Sequence, residues 1–517
     1  MYSKKYLYFQ LLIAVFVGFV TKAAFNEFAD TVAVSEFAGS ERHMMYMANL
    51  NRNFWLVTLI AVLVWGAIST AIYLFKDNMK QHQMFAVLYL SIGLLFLGLV
   101  PVPGVPDEPH HFLRAFEISR GGLISDMDEF GEVGGFLPEN LDANMPDSSI
   151  TYRDLRENFG EKISDNEIHL EYENTALYSP LSYLPQALGV LLGRVITKNV
   201  LLTAYFGRFF AFLTIGFVLY LSIKNIPVGK NVLMAVSLLP ITVQECMSLA
   251  ADGMAYAMAT ALFSYVMYLR YGKIEKIGKK QFILLSILCI MVASCKVVYL
   301  PVCLCVFLLP LNRIGDGKTK NYIISTFALC ALAGVFSLGW LAICHGFLPF
   351  GEAVNSGEQL SGMLKHPINY LLVLYRTFGK YFIIQMIYLF GGCMGMMDIA
   401  CDYVIVTVCA GIFFYIVKNE SVSVKDENWK KIRIALFVIV AILIVLTLTS
   451  LYLQYTPVGL GYITGMQGRY YIPMILLFVL ALKKDGEEEV ALSIYPWMGL
   501  SAMCIAALVT MVARYLF

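Results

Sequence analysis

The chain has 517 residues, 59% of them hydrophobic and 15% charged, with a mean hydropathy of +0.68 and a formal net charge of +1. A soluble fold of this length cannot hide so much apolar surface, so composition alone points to an all-α polytopic membrane protein. The near-neutral charge gives no electrostatic ground for a nucleic-acid partner.

Taken in order, apolar runs predict spans near 6–24, 54–75, 83–100, 199–222, 230–248, 251–271, 281–294, 296–311, 321–345, 403–418, 432–455, 469–483 and 491–515. That is a bundle of about 13 helices, several shorter than the roughly 20 residues a full crossing needs, so they must tilt, pair or break. The first run lacks a small-residue cleavage site and is expected to act as an anchor. Lysine and arginine bias sets orientation. With the N-terminus inside, Lys76, Lys80, Lys224, Lys230, Arg270, Lys273, Arg313, Lys320, Lys430, Lys431, Arg433 and Lys483 all fall inside, and the acidic 101–178 segment falls outside. Of the 11 cysteines, Cys289, Cys303, Cys305, Cys330, Cys409 and Cys504 lie in apolar runs as small hydrophobes, and no C-x-x-C spacing occurs. Cys393 and Cys401 flank an external loop where a disulfide is possible.

Pro101-Val-Pro-Gly-Val-Pro-Asp-Glu-Pro-His-His-Phe-Leu-Arg114 follows the third span. Its prolines cannot continue a helix, so the backbone leaves the bilayer extended. It then presents Asp107 and Glu108 next to His110 and His111, a general base with a second carboxylate to orient it or to hold a divalent cation such as Mg or Mn. Adjacent residues seldom point at one metal, which argues against zinc. His110 to Ser119 is predicted as a short interfacial helix. The polar stretch beyond it ends in Tyr178-Ser-Pro-Leu-Ser-Tyr-Leu-Pro185, followed by a half-inserted helix to Ile196.

Ionisable residues inside apolar runs carry the next signal. Arg208 either pairs with a carboxylate to hold helices together or binds an anionic lipid phosphate. Lys296 lies between two short runs near Tyr299, and Glu245 and Asp252 bracket an external turn. In Gly461-Tyr-Ile-Thr-Gly-Met-Gln-Gly-Arg-Tyr-Tyr-Ile-Pro473, Gln467, Arg469 and Tyr470 sit where the chain re-enters the membrane, and Arg469 offers a forked donor for phosphate. A lid is expected over 345–369, with His345, Glu352, Glu358, Gln359 and His366. Charge bias places the Asp107 loop, the Asp252 turn, Lys296, the 345–369 segment and Gln467–Tyr471 on one external face, with Arg208 inside its span.

Pro106-Asp-Glu-Pro-His-His-Phe-Leu-Arg-Ala115, Tyr178-Ser-Pro-Leu-Ser-Tyr-Leu-Pro-Gln186 and Gln467-Gly-Arg-Tyr-Tyr-Ile-Pro473 resemble the bacterial membrane family called domain of unknown function 2142. More broadly, the chain resembles the GT-C superfamily of integral-membrane glycosyltransferases. The chain departs from the superfamily's common plan of one span before the first loop by an extra transmembrane pair (1–82), and a final helix (486–517) follows the rest. The resemblance implies a GT-C-like catalytic domain (83–485) with its large external loop at 101–198. It implies a polyprenyl-phosphate-linked sugar as donor and a cell-envelope glycan or protein as acceptor, at the outer face of the plasma membrane. Asp107 matches the superfamily's acidic position, with Glu108 and His110 beside it as catalytic candidates. His111, Arg114, Tyr178, Arg208, Asp252, Lys296, Tyr299, Gln467, Arg469 and Tyr470 are the candidate binding residues. A transporter or flippase of lipid-linked glycans is the competing expectation.

Overall fold

A computed structural model describes residues 3–35, 38–143, 150–314, 318–344, 353–486 and 492–516. Seven helices among them are long and apolar enough to cross a bilayer: Lys4–Ala33, Glu41–Phe75, Gln81–Leu99, Val200–Asn225, Thr319–Ile343, Trp429–Gln454 and Tyr495–Tyr515. The protein is a multi-pass helical membrane protein.

The other expected runs are shorter elements: Lys279–Cys295 and Tyr403–Asn419 are helices of 17 residues, and proline breaks divide or distort others. The 230–248 run divides at Leu239-Pro240 into Lys230–Ser237 and Pro240–Cys246, and the latter meets Ala251–Tyr271 at a 106° bend. Counted as one broken span, this pair makes an eighth crossing. Residues 296–311 contain Pro301 and form a 3-10 stretch, Val297–Leu308. Conversely, the sequence reading omits a helix, Pro367–Leu389, whose Arg376, Lys380 and Gln385 dilute its apolar character. It buries two of its polar residues: Thr377 Oγ1 accepts from Ile463 N at 2.8 Å, and Gln385 Nε2 donates to Met466 O at 2.9 Å. The final helix Tyr495–Tyr515 is not an appendage. It is buried throughout, and the Trp65 indole donates to Ser501 Oγ at 3.2 Å across the core.

The basic loops gather at one pole. Arg270 grips Asp426 (Nε–Oδ2 2.9 Å), Arg313 Nη1 donates to Leu269 O at 2.7 Å, and Trp429 Nε1 donates to Lys483 O at 2.9 Å. Gln81–Leu99 leaves this pole and Ala251–Tyr271 returns to it, so residues 100–108 and 245–252 meet at the opposite pole.

There the 101–198 segment forms a small cap. Glu108–Ser119 is the expected short helix, and Leu184–Ile196 lies beside Val200–Asn225 with Leu184, Leu188, Val195 and Ile196 exposed, as an interfacial helix requires. The purely helical expectation needs correcting: Asp126–Met127, Val133–Pro138 and Glu167–Glu171 form an antiparallel sheet in that order, and elsewhere Cys393–Met394 and Ile399–Ala400 pair as a two-strand hairpin. Phe112, Leu113, Phe116, Leu137, Leu141, Leu170 and Tyr172 give the cap its own core. Each such side chain contributes about 1.5–3 kcal/mol by leaving water.

Candidate functional site

Asp107 is the pivot of the site. Pro106 and Pro109 frame it, and it holds a left-handed backbone (φ 62°, ψ 6°) at the N-cap of Glu108–Ser119. That conformation costs an L-residue roughly 1–2 kcal/mol, and it turns successive side chains in opposite directions. Asp107 faces outward with a side chain 42% exposed, whereas Glu108 is fully buried.

Glu108 therefore does not share the chemistry expected of a carboxylate pair. Its Oε1 accepts from Arg208 Nε at 2.7 Å and from Leu249 N at 3.0 Å, and its Oε2 accepts from Arg208 Nη2 at 2.5 Å and Gly104 N at 2.9 Å. Arg208 also donates to Val100 O and Pro101 O at 2.7 and 2.8 Å, satisfying carbonyls left open at the end of Gln81–Leu99. Of the two readings of Arg208, the geometry favours the structural one. Arg114 is likewise consumed inside the cap, by Glu117, Ser125 Oγ (3.1 Å) and Leu123 O (2.8 Å).

Asp107 pairs instead with Arg469, whose Nη2 donates to Asp107 Oδ2 at 2.7 Å while Nη1 reaches Pro106 O at 3.3 Å. Gly468 makes this possible. A Cβ there would lie 2.7 Å from Gln385 O and 2.8 Å from Leu389 N, so only glycine lets the Gly468–Tyr471 turn sit against Pro367–Leu389. Burial opposes ionisation of Asp107, but the Arg469 guanidinium overcomes it and holds the carboxyl below the usual carboxylate range. Asn174 Nδ2 approaches the other oxygen at 3.4 Å, and Asn174 Oδ1 is 2.6 Å from His110 Nδ1.

Behind Arg469 lies the break in the bent span. Glu245 Oε1 is 3.5 Å from Arg469 Nη1, and Asp252 Oδ2 is 3.8 Å from its Nε. Gly253 permits the sharp bend, since a Cβ there would come within 2.8 Å of Glu245 O. Lys296, in extended backbone after Lys279–Cys295, pairs with Asp252. Its ammonium lies 5.5 Å from the Tyr178 ring centroid and 5.0 Å from that of Tyr470, and Tyr299 Oη donates to Tyr470 O at 3.0 Å. Asp107, Asp252, Lys296, Tyr178, Tyr299, Arg469 and Tyr470 thus converge in space, and Gln467 lines the adjoining cavity. Glu245, named in the sequence only as one side of a turn, belongs at the centre.

His111 stacks on Tyr178 at 5.8 Å, and its Nδ1 is 2.5 Å from Tyr183 Oη. Burial lowers its pKa to about 4. The unfolded chain, with the ordinary value near 6.5, then takes up this proton first, so the stability His111 contributes is present above pH 6.5 and fades as pH falls toward 4. Thermal stability in lipid is expected to fall across that window by up to about 1.4 kcal/mol per pH unit. His111→Gln should flatten the slope. An unchanged slope in the variant would assign the acid sensitivity to other groups.

The residues present do not fit a divalent cation. The oxygens of Glu108 are occupied by Arg208, Gly104 and Leu249, Asp107 is paired to Arg469, and among the described residues no three His, Cys, Asp or Glu side chains are placed to hold an ion. Cys393 and Cys401 are both free thiols, on or beside a two-strand hairpin. Within the expected lid, His345 and Glu352 lie outside the described residues. Ser356–Lys365, which carries Glu358 and Gln359, packs just beyond the end of Trp429–Gln454, where Gln359 Nε2 donates to Thr456 O at 2.6 Å.

A family model described as "Predicted membrane protein (DUF2142)" matches residues 90–478. The chain belongs to that family. The match contains the whole charged cluster, from Asp107 to Tyr470. No curated protein and no solved structure matches the chain.

Proposed function

We propose that this DUF2142 protein is a membrane glycosyltransferase that moves a sugar from a polyprenyl-phosphate donor to a cell-envelope acceptor. The observation that carries the reading is a partly exposed, strained carboxylate, Asp107, bound to a buried arginine that stands near a second cation, at the pole opposite the basic loops. Such pre-set charge is what phosphate-leaving chemistry needs. The positive-inside rule then puts the basic pole in the cytoplasm and Asp107 at the outer face of the plasma membrane.

In this mechanism Asp107 takes the proton of the acceptor hydroxyl as its oxygen attacks the anomeric carbon. The bond from that carbon to the phosphate oxygen breaks, with inversion, and the phosphate departs with the bonding pair. Arg469 and Lys296 hold the departing charge, and Tyr178, Tyr299 and Tyr470 supply flat apolar walls. Three carboxylates, Asp107, Glu245 and Asp252, already surround these two cations. A phosphate entering the group competes with Asp107 for Arg469, and the carboxylate it releases is a stronger base. The acid limb of kcat/KM should therefore lie below the ordinary carboxylate range in the wild type. Arg469→Gln should move that limb upward while lowering kcat/KM by about 10²–10³-fold, read from a pH–rate profile. An unmoved limb would separate Asp107 from the observed titration.

The test of the activity is donor consumption by purified protein in lipid, followed by mass spectrometry over a panel of polyprenyl-phosphate sugars. Sugar transfer supports the enzyme. The transporter reading draws on the 106° break between Pro240–Cys246 and Ala251–Tyr271, since transporters place their sites at discontinuous helices. Movement of the intact lipid-linked sugar across the bilayer, without cleavage, would favour it.

A further inference from the structure

Two small cavities flank Arg469, and Glu245 lines both. The first also touches Thr242, Asp252 and Tyr299; the second touches Gln467, Tyr388 and Gly395. Around them, Glu245 Oε2, Thr242 Oγ1 and Gln467 Oε1 are buried and lack a hydrogen-bond partner among the described residues, while Glu245 Oε1 and Arg469 Nε make only long ion contacts, to Arg469 Nη1 at 3.5 Å and Asp252 Oδ2 at 3.8 Å. Glu245 is 2% exposed and Thr242 1% exposed. Leaving one buried polar atom unpaired costs about 1–3 kcal/mol, so a group of them around shared cavities is a site prepared for a polar partner.

The chemistry of the group identifies that partner. The carboxylate and the amide oxygen only accept hydrogen bonds, the hydroxyl can do either, and one guanidinium N–H donates. Between Glu245 and Thr242 or Gln467 a neutral hydrogen-bond donor is favoured over an anion, and each cavity is too tight for more than a small group. Hydroxyls fit on both counts. Gln244 pins the neighbouring hairpin over the second cavity, donating to Gly395 O at 3.2 Å and accepting from Gly395 N at 2.9 Å, which makes a rigid wall.

Resting on the transferase reading, we propose that Glu245, with Thr242 on one side and Gln467 on the other, reads hydroxyl groups of the donor sugar and sets which sugar is accepted. Phosphate recognition stays with Arg469 and Lys296. A hydroxyl donating to a buried carboxylate is worth about 10- to 100-fold in affinity.

The experiment uses full-length protein in lipid nanodiscs and four probes: polyprenyl-phosphate glucose, its galactose and mannose epimers, and bare polyprenyl phosphate. Wild type should bind one sugar lipid at least tenfold more tightly than its epimers and than the bare phosphate. Glu245→Gln and Glu245→Ala should reduce that preference to about twofold. They should bind bare polyprenyl phosphate as well as wild type or better, because a negative charge near the phosphate is gone. Thr242→Val, which keeps shape and charge, should reduce the preference several-fold and covers the case in which the Glu245 variants fail to fold. Monodisperse Glu245 variants that keep the full preference would overturn the subsite. Equal binding of all four probes by wild type would do the same while leaving phosphate recognition intact. Binding of none would remove the donor reading itself.

Discussion

Asp107→Asn is expected to lower turnover of the lipid-linked sugar by about 10²–10⁴-fold, the usual contribution of a positioned general base. Asparagine suits the test because, like aspartate, it tolerates the left-handed backbone that residue 107 adopts. Its amide oxygen still accepts from Arg469, so the turn, the Glu108–Ser119 helix and the donor pocket should survive. What disappears is the proton acceptor and one negative charge beside Arg469. Donor affinity should then hold or improve while the chemical step fails, a separation that a misfolded variant cannot give. Single-turnover kinetics and donor binding on the same nanodisc preparation decide it. Wild-type turnover by the asparagine variant would remove Asp107 from the chemistry.

The sequence exposed this site through charge placed where charge is expensive. Asp107, Asp252, Lys296 and Arg469 each interrupt an apolar stretch or its edge, and the basic loops fixed which edges belong together. The direction of neighbouring side chains was not legible. Asp107 and Glu108 look equivalent as a pair, and only the positive φ at Asp107 sends one outward and the other to Arg208. The role of Glu245 was hidden for a similar reason, since an acid beside a turn looks solvated until the 106° bend buries it. Span length was least legible where length and hydropathy part company. Pro367–Leu389 is a long helix with too many polar residues to register, and Val297–Leu308 is an apolar run with a proline inside. The small sheet of the cap escaped because its strands are two to six residues long.

Breaking the Glu108–Arg208 pair should be the most damaging single change to folding. Both side chains are fully buried, and together they join three parts of the chain: the 100–108 turn, the helix Val200–Asn225 and the backbone at Leu249. Arg208→Met leaves a buried carboxylate without its cation, and it frees the carbonyls of Val100 and Pro101, at a cost of about 3–5 kcal/mol. Glu108→Gln keeps the shape but strands the guanidinium and should cost a similar amount. The paired variant Glu108→Gln/Arg208→Met removes both charges and should recover part of the loss, because the desolvation penalty goes with them. Monodisperse yield and melting temperature in detergent, measured on all three, give the coupling directly. The Asp107 side chain is held by Arg469 rather than by this pair, so activity per folded molecule should fall less than yield does. A Glu108→Gln protein with wild-type melting and no activity would instead put Glu108 back among the reacting groups, and the division of labour between the two neighbouring carboxylates would have to be redrawn.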